Sequence, residues 1–246
     1  MKRLRIGIMA LLLCVFLAGC GEATPEETAP ETQMPTAAQT VAPEIIEPVV
    51  ETQPKAYTVD EMLPEPADDA FVRVKDYIPD IVVELKYATE DNFTGQVIYD
   101  FQDAYLRYGT VKKLMAVQEE LRQQRLSLKI WDGFRPAAAQ FKLWEVCPDT
   151  RYVANPNRGF SAHSRGNTLD VALVDEKGEE IEMPTGFDEF SALADRDYSD
   201  CCFDAMLNAL LLEQTMERHG FSGYKGEWWH FTDTDSYPVD EAFMSE

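Results

Sequence analysis

Two of the three histidines in the chain stand near carboxylates at spacings that suit a metal centre. His163 precedes Asp170 within Ser161-Ala162-His163-Ser164-Arg165-Gly166-Asn167-Thr168-Leu169-Asp170, and His230 follows Glu227 within Gly226-Glu227-Trp228-Trp229-His230-Phe231. A catalytic zinc ion keeps three protein ligands and leaves the fourth corner of its tetrahedron to water. Two neutral imidazoles and one carboxylate supply that set and offset part of the dication's charge, so His163, Asp170 and His230 are the expected ligands. Glu227, outside the set, is the expected general base: zinc lowers the pKa of bound water to about 7, and a neighbouring Glu can take its proton as hydroxide attacks a carbonyl. The oxyanion that follows calls for a cationic partner, each such donor contributing about 3 kcal/mol. Arg135, in Asp132-Gly133-Phe134-Arg135-Pro136, is the candidate, with a structural salt bridge to Asp132 as its competing role.

These residues need elements to bring them together. Thr168 to Val174 alternates Leu169, Val171 and Leu173 against Asp170, which predicts a strand, with Gly166 letting the loop from His163 return into it. Glu227 to Thr232 reads as a last, aromatic strand. Residues three apart on a strand point to opposite faces, so Glu227 must lie at the strand entrance, where Gly226 lets the backbone turn, for it to share a site with His230. Further strands are predicted at Asp80 to Tyr87 and Leu126 to Ile130, and helices at Ala104 to Arg125, Ala137 to Glu145 and Asp200 to His219, the last stopped by Gly220. Helices and strands mix without a regular βαβ repeat, which predicts an α+β fold with a small, largely antiparallel sheet and flanking helices. His219 is expected to cap a helix end, Trp228 and Trp229 to be core and pocket wall, and the Asp195-Arg196-Asp197 run to be a solvated surface.

The chain has 246 residues, 45% hydrophobic and 27% charged, which fits one folded domain plus extensions. Its formal charge of −22 repels phosphate backbones and anionic headgroups, which excludes nucleic acid as an expected partner. Lys2, Arg3 and Arg5 precede an apolar stretch, Ile6 to Ala18, of signal-peptide length. The stretch ends in Leu17-Ala18-Gly19-Cys20, which resembles the lipobox of bacterial lipoproteins. That resemblance implies a signal peptide over residues 1–19, lipidation of Cys20, and a protein exported and anchored to the cell membrane on its extracytoplasmic face. Residues 20–56, rich in Pro, Thr, Glu and Ala, read as a disordered tether, leaving residues 57–246 as the folded domain. Of the remaining cysteines, Cys147 can bridge to Cys201 or Cys202 in an oxidising exterior, or all three can stay reduced.

The stretches Val83-Glu84-Leu85-Lys86-Tyr87-Ala88-Thr89-Glu90-Asp91-Asn92-Phe93-Thr94-Gly95, Asp132-Gly133-Phe134-Arg135-Pro136, Ser161-x-His163-x-x-Gly166-x-x-x-Asp170 and Glu227-Trp228-Trp229-His230-Phe231 resemble the D-alanyl-D-alanine dipeptidases of the VanX type, in the right order over roughly residues 70 to 233. The resemblance implies a zinc D,D-peptidase (hedgehog-like) fold and one Zn2+ per chain on His163, Asp170 and His230. It further implies Glu227 as base, Arg135 as transition-state stabiliser, Asp188 near the substrate's amino group and Ser161 in the pocket wall. Asp188 also has the type of a helix N-cap for the turn that follows it. Pro184, Gly186 and Thr168 depart from the family pattern and bear on dipeptide specificity rather than on the metal. The implied activity is zinc-dependent hydrolysis of D-alanyl-D-alanine or a related cell-wall peptide. The alternatives are a carboxypeptidase of peptidoglycan stem peptides and a noncatalytic, zinc-stabilised module that binds wall peptides.

Overall fold

A computed structural model describes residues 65–240 and Phe243. The leader, Cys20 and the whole tether lie outside these residues. Among the described residues, no helix is long and apolar enough to cross a membrane.

Among the described residues, seven strands and four α-helices follow in the order β1 (Phe71–Arg73), α1 (Val74–Tyr77), β2 (Val82–Val83), β3 (Tyr105–Arg107), α2 (Tyr108–Arg122), β4 (Leu126–Asp132), α3 (Ala137–Val146), β5 (Thr168–Asp175), α4 (Phe203–Arg218), β6 (Phe221–Tyr224) and β7 (Glu227–Asp233). The main sheet has the order β2-β4-β5-β7-β6, and β1 pairs with β3 in a separate two-stranded ribbon. Pairing is antiparallel except between β2 and β4, so the α+β expectation of a largely antiparallel sheet is met. β5 lies between β4 and β7, and its residues from Thr168 to Val174 are all buried. α2 turns Val111, Leu114, Val117 and Leu121 inward, each fully buried, a contribution of roughly 1.5 to 3 kcal/mol per side chain.

Three differences from the expected elements have local causes. The helix expected from Ala104 begins only at Tyr108, because Tyr105–Arg107 is drawn into the ribbon against β1, with Val72 opposite Leu106. The strand expected over Asp80 to Tyr87 is reduced to Val82–Val83, and Lys86–Ala88 forms a 3₁₀ turn. There the Tyr87 carbonyl accepts hydrogen bonds from the Ile98 and Tyr99 amides at 2.9 and 2.8 Å. β6, which was not expected, is four residues long, too short for an alternating pattern to register. α4 ends where predicted, with Gly220 at φ +86 in the left-handed region.

The three cysteines in the described residues are free, so the reduced alternative holds and the bridge does not form. Cys202 instead caps α4, its sulfur accepting from the Ala205 amide at 3.5 Å.

Candidate active site

Asp170 points from the middle strand of the sheet at its crowded end. A carboxylate with 3% exposure is costly to bury unless it is paired or holds a metal. On one side Asp170 pairs with His230 of β7, and on the other with Asp132 of β4. His163 arrives from the other direction, on the 3₁₀ turn Ala162–Arg165, which Gly166 terminates at φ +76. A side chain at Gly166 would also strike Phe71, whose ring atom Cε1 would lie 2.2 Å from the added Cβ, so only glycine fits between the ribbon and this turn.

The three donors converge. His163 Nε2 lies 3.4 Å from Asp170 Oδ2 and 3.4 Å from His230 Nδ1, and His230 Nδ1 lies 3.1 Å from Asp170 Oδ1. A tetrahedral zinc with bonds of roughly 2.0 to 2.1 Å separates its ligand atoms by roughly 3.3 to 3.4 Å, so the spacing suits this ion. Asp170 Oδ1 is buried and takes no hydrogen bond, which leaves its lone pairs for a cation. Burial pushes the Asp170 carboxyl up, but the neighbouring His163 and His230 outweigh it and hold the pKa below the ordinary value, so the ligand stays ionised. His163 Nδ1 lies 2.9 Å from the Gly133 carbonyl, which can only accept. The proton therefore sits on Nδ1, and Nε2 is free to ligate. The donor set fits a divalent ion of the zinc class.

Glu227 lies beside this cluster, with Oε2 3.5 Å from His230 Nδ1. It is the first residue of β7 rather than a residue before the strand. The geometry that the sequence required is supplied by an irregularity: Gly223 pairs with Phe231, whereas the next residue, Tyr224, pairs with Glu227. Trp228, Trp229 and His230 are thus passed over on the β6 side, and the side chains of Glu227 and His230 no longer alternate faces. A second bulge, at Trp131 in β4, lies beside the same end of β5. Burial raises the Glu227 pKa, with Asp170 adding to the effect, which moves this carboxyl towards the range of a base working near neutrality.

Arg135 makes the salt bridge to Asp132 and also stands at the cavity. Its guanidinium donates to Asp132 at 2.6 Å through Nη2 and to Gln140 at 3.0 Å through Nη1, and it lines the same cavity as the three donors. Burial lowers its proton affinity, but Asp132 overcomes that, and the pKa is raised, so the cation persists. Asp132 is fully buried and also accepts from Tyr99 at 2.7 Å. Ser161, buried, lines the cavity as well.

Asp188 is also at the cavity, and it caps no helix. It sits in a turn at φ +52, and Tyr87 donates to its Oδ2 at 2.5 Å. Phe187 packs its ring against Tyr87, Trp131 and Trp229, which anchors the turn. Burial pushes the Asp188 pKa up to about 8, against the Tyr87 hydrogen bond. Thr185, between the departures Pro184 and Gly186, accepts from Trp228 Nε1 at 2.9 Å and so ties the turn to β7, while Gly186 has open space where a side chain would stand. Thr168 faces Thr232 across the strands, with the hydroxyls 3.1 Å apart.

The cavity holds about 310 Å3, at the low end of the roughly 300 to 1,000 Å3 typical of ligand pockets. Its outer wall includes Arg151, Tyr152 and Phe160, which sequence reasoning did not single out because nothing in their spacing marks them. Tyr87 was visible only as part of a longer motif. Trp228 and Trp229 are buried, as core residues should be. His219 lies at the end of α4 with Nε2 2.8 Å from Glu120, away from the metal donors. Arg196 contradicts its expected place on a solvated surface: its side chain is 11% exposed and its guanidinium reaches into the sheet.

The sequence model of the family described as "D-ala-D-ala dipeptidase" matches residues 67–245. The chain is 39% identical over 163 residues to the D-alanyl-D-alanine dipeptidase of Escherichia coli (strain K12), covering 65% of this chain and 84% of that protein. It is 33% identical over 186 residues to the namesake from Streptomyces coelicolor, covering 66% and 90%. To the one from Enterococcus faecium it is 31% identical over 176 residues, covering 63% and 87%.

Proposed function

The chain belongs to the D-Ala-D-Ala dipeptidase family, and from that premise we propose that it hydrolyses D-alanyl-D-alanine in a zinc-dependent reaction. The observation that carries the reading is the convergence of His163, Asp170 and His230 within 4.8 Å of one another, with the free carboxylate of Glu227 beside them in one small cavity. His163 Nε2, His230 Nδ1 and an Asp170 oxygen would hold the ion. Zinc in such a site acidifies a water and polarises a carbonyl. Glu227 takes the proton from the attacking water at its carboxylate, where burial has raised the affinity for it, and delivers it to the leaving amine. Arg135, kept cationic and oriented by Asp132 and Gln140, offers positive charge to the oxyanion. Asp188, pushed up to about 8 in the absence of a cation, gives up its proton when an ammonium group arrives, so the amino end of a short peptide is the natural partner for its carboxylate.

The test is a product analysis of residues 57–246 loaded with zinc, comparing free D-Ala-D-Ala, a stem pentapeptide ending in D-Ala-D-Ala, and L-Ala-L-Ala. Fast cleavage of the free D,D-dipeptide supports the reading. Preference for the stem peptide would make the enzyme a carboxypeptidase, and stoichiometric zinc without hydrolysis would make it a binding module.

The reading extends to location. The leader and the lipobox-like Leu17-Ala18-Gly19-Cys20 support export and anchoring through a lipid on Cys20, which would place the cavity on the extracytoplasmic face beyond a tether. A Cys20→Ser variant should then lose lipid labelling and leave the membrane fraction. Wild-type fractionation would overturn the anchor.

A further inference from the structure

The irregularity takes the backbone of Trp228 and His230 out of the β6 ladder, at the place where Glu227 and His230 must be held together. One side chain collects the carbonyls there. Arg196 donates from Nη2 to the Trp228 carbonyl at 3.1 Å and to the His230 carbonyl at 3.0 Å, and from Nε to the Tyr224 carbonyl at 2.9 Å. Its own amide donates to the Lys225 carbonyl at 3.1 Å, which ties the segment to the β6–β7 turn. Glu213 braces the guanidinium from behind, with Oε2 3.0 Å from Nη1, and the guanidinium carbon stands 4.4 Å from the centre of the Phe231 ring. On the β6 side the fit requires glycine: a Cβ on Gly223 would lie 2.2 Å from Arg196 Cζ.

Three carbonyls bracketing two functional residues demand donors in a fixed, planar fork, which Arg supplies and Lys does not. A buried carbonyl without a partner is costly, which would drive this part of β7 towards regular pairing. Regular alternation would turn Glu227 to the face opposite His230. We propose that Arg196 is a positioning residue that locks the β7 irregularity and thereby sets the general base Glu227 against the metal ligand His230. The inference rests on the roles given to those two residues under the proposed function.

Its test uses Arg196→Lys, which keeps the charge and loses the fork, and Gly223→Ala, which displaces the fork and keeps the arginine. Both are assayed for kcat and KM on D-Ala-D-Ala, for zinc affinity by competition with a chelator, and for folding by thermal unfolding. In each folded variant kcat and zinc affinity should fall by about 10- to 100-fold, the range seen when groups orienting a metal's ligands are altered. KM should stay within about threefold, since the substrate's own contacts are untouched. Folded variants with wild-type kcat and zinc affinity, or with the loss carried by KM alone, would overturn the inference. So would failure of both variants to fold, which would make Arg196 a stability residue. Glu227→Gln separates the two layers: if it retains turnover, the proposed base is wrong, whereas if it is inactive and Arg196→Lys is not, only the positioning role fails.

Discussion

Around the cavity, the wall that carries His163, Asp170 and His230 stands on β5, β7 and the tight turn into β5, whereas the wall with Arg151, Tyr152, Phe160 and Asp188 lies on segments between the regular elements. The first wall is dry: His163 and Asp170 are each 3% exposed. The second is half open, with Tyr152 39% and Phe160 43% exposed. Strand pairing fixes a side chain through a backbone that cannot shift without breaking a ladder, which suits donors that must meet one ion within tenths of an ångström. Connecting segments tolerate change in shape and length, which suits recognition of one peptide among related ones. The metal donors are therefore built on the sheet, and the more open wall is hung around them.

That division can be broken from the largest effect downward. His163→Ala removes a ligand on the rigid wall and should abolish both zinc retention and turnover, checked by metal analysis and a dipeptide assay. Turnover with stoichiometric zinc would show that the sheet does not hold the ion. Glu227→Gln should keep the metal and lower kcat by about 10²- to 10⁴-fold, the usual contribution of a positioned base. Steady-state kinetics on zinc-loaded protein reads this directly.

On the looser wall, Asp188→Asn should raise KM by about 10- to 100-fold, the loss of one charge-assisted hydrogen bond, with kcat much less affected. The same variant sharpens the comparison through pH. Because the native carboxyl is raised to about 8 from an ordinary 3.8, the unfolded chain releases its proton first as pH rises, and the native state loses stability over that interval. Metal-free Asp188→Asn should therefore match the wild type in thermal unfolding near pH 4 and become progressively more stable than it towards pH 8. A constant difference across this range would place Asp188 in an ordinary, solvated setting. The smallest effect is expected at the rim. Tyr152 packs tilted against Phe190 with ring centres 4.5 Å apart, and Tyr152→Ala should change KM for the dipeptide by only about 2- to 10-fold while leaving zinc affinity unchanged. A loss of zinc there would mean that the two walls are coupled.

Much of the rigid wall was legible beforehand because periodicity and chemistry coincide in it. From Thr168 to Val174, β5 sets its apolar residues around Asp170, and that acid is the one brought to the two imidazoles. α2, α3 and α4 carry enough turns for their apolar faces to declare themselves, although the first turn expected of α2 is a strand. β1, β3 and β6 did not declare themselves, since three or four residues hold too few repeats and owe their pairing to partners distant in the chain. The looser wall was legible only where the family motif reached it, at Ser161 and Asp188. Arg151, Tyr152 and Phe160 lack any spacing that would mark them, and Arg196 sits between two aspartates in a run that reads as surface.

By itself the sequence determined the donor types, their order and the strand that presents Asp170, because ligand chemistry and side-chain alternation are properties of residues and their near neighbours. Only the tertiary structure decided that Glu227 and His230 share a face. Alternation along an undisturbed strand forbids that arrangement, and the irregularity that permits it is held by an arginine more than thirty residues away from His230. Such a device is set by pairing and long-range hydrogen bonds, which leave no periodic trace in the chain.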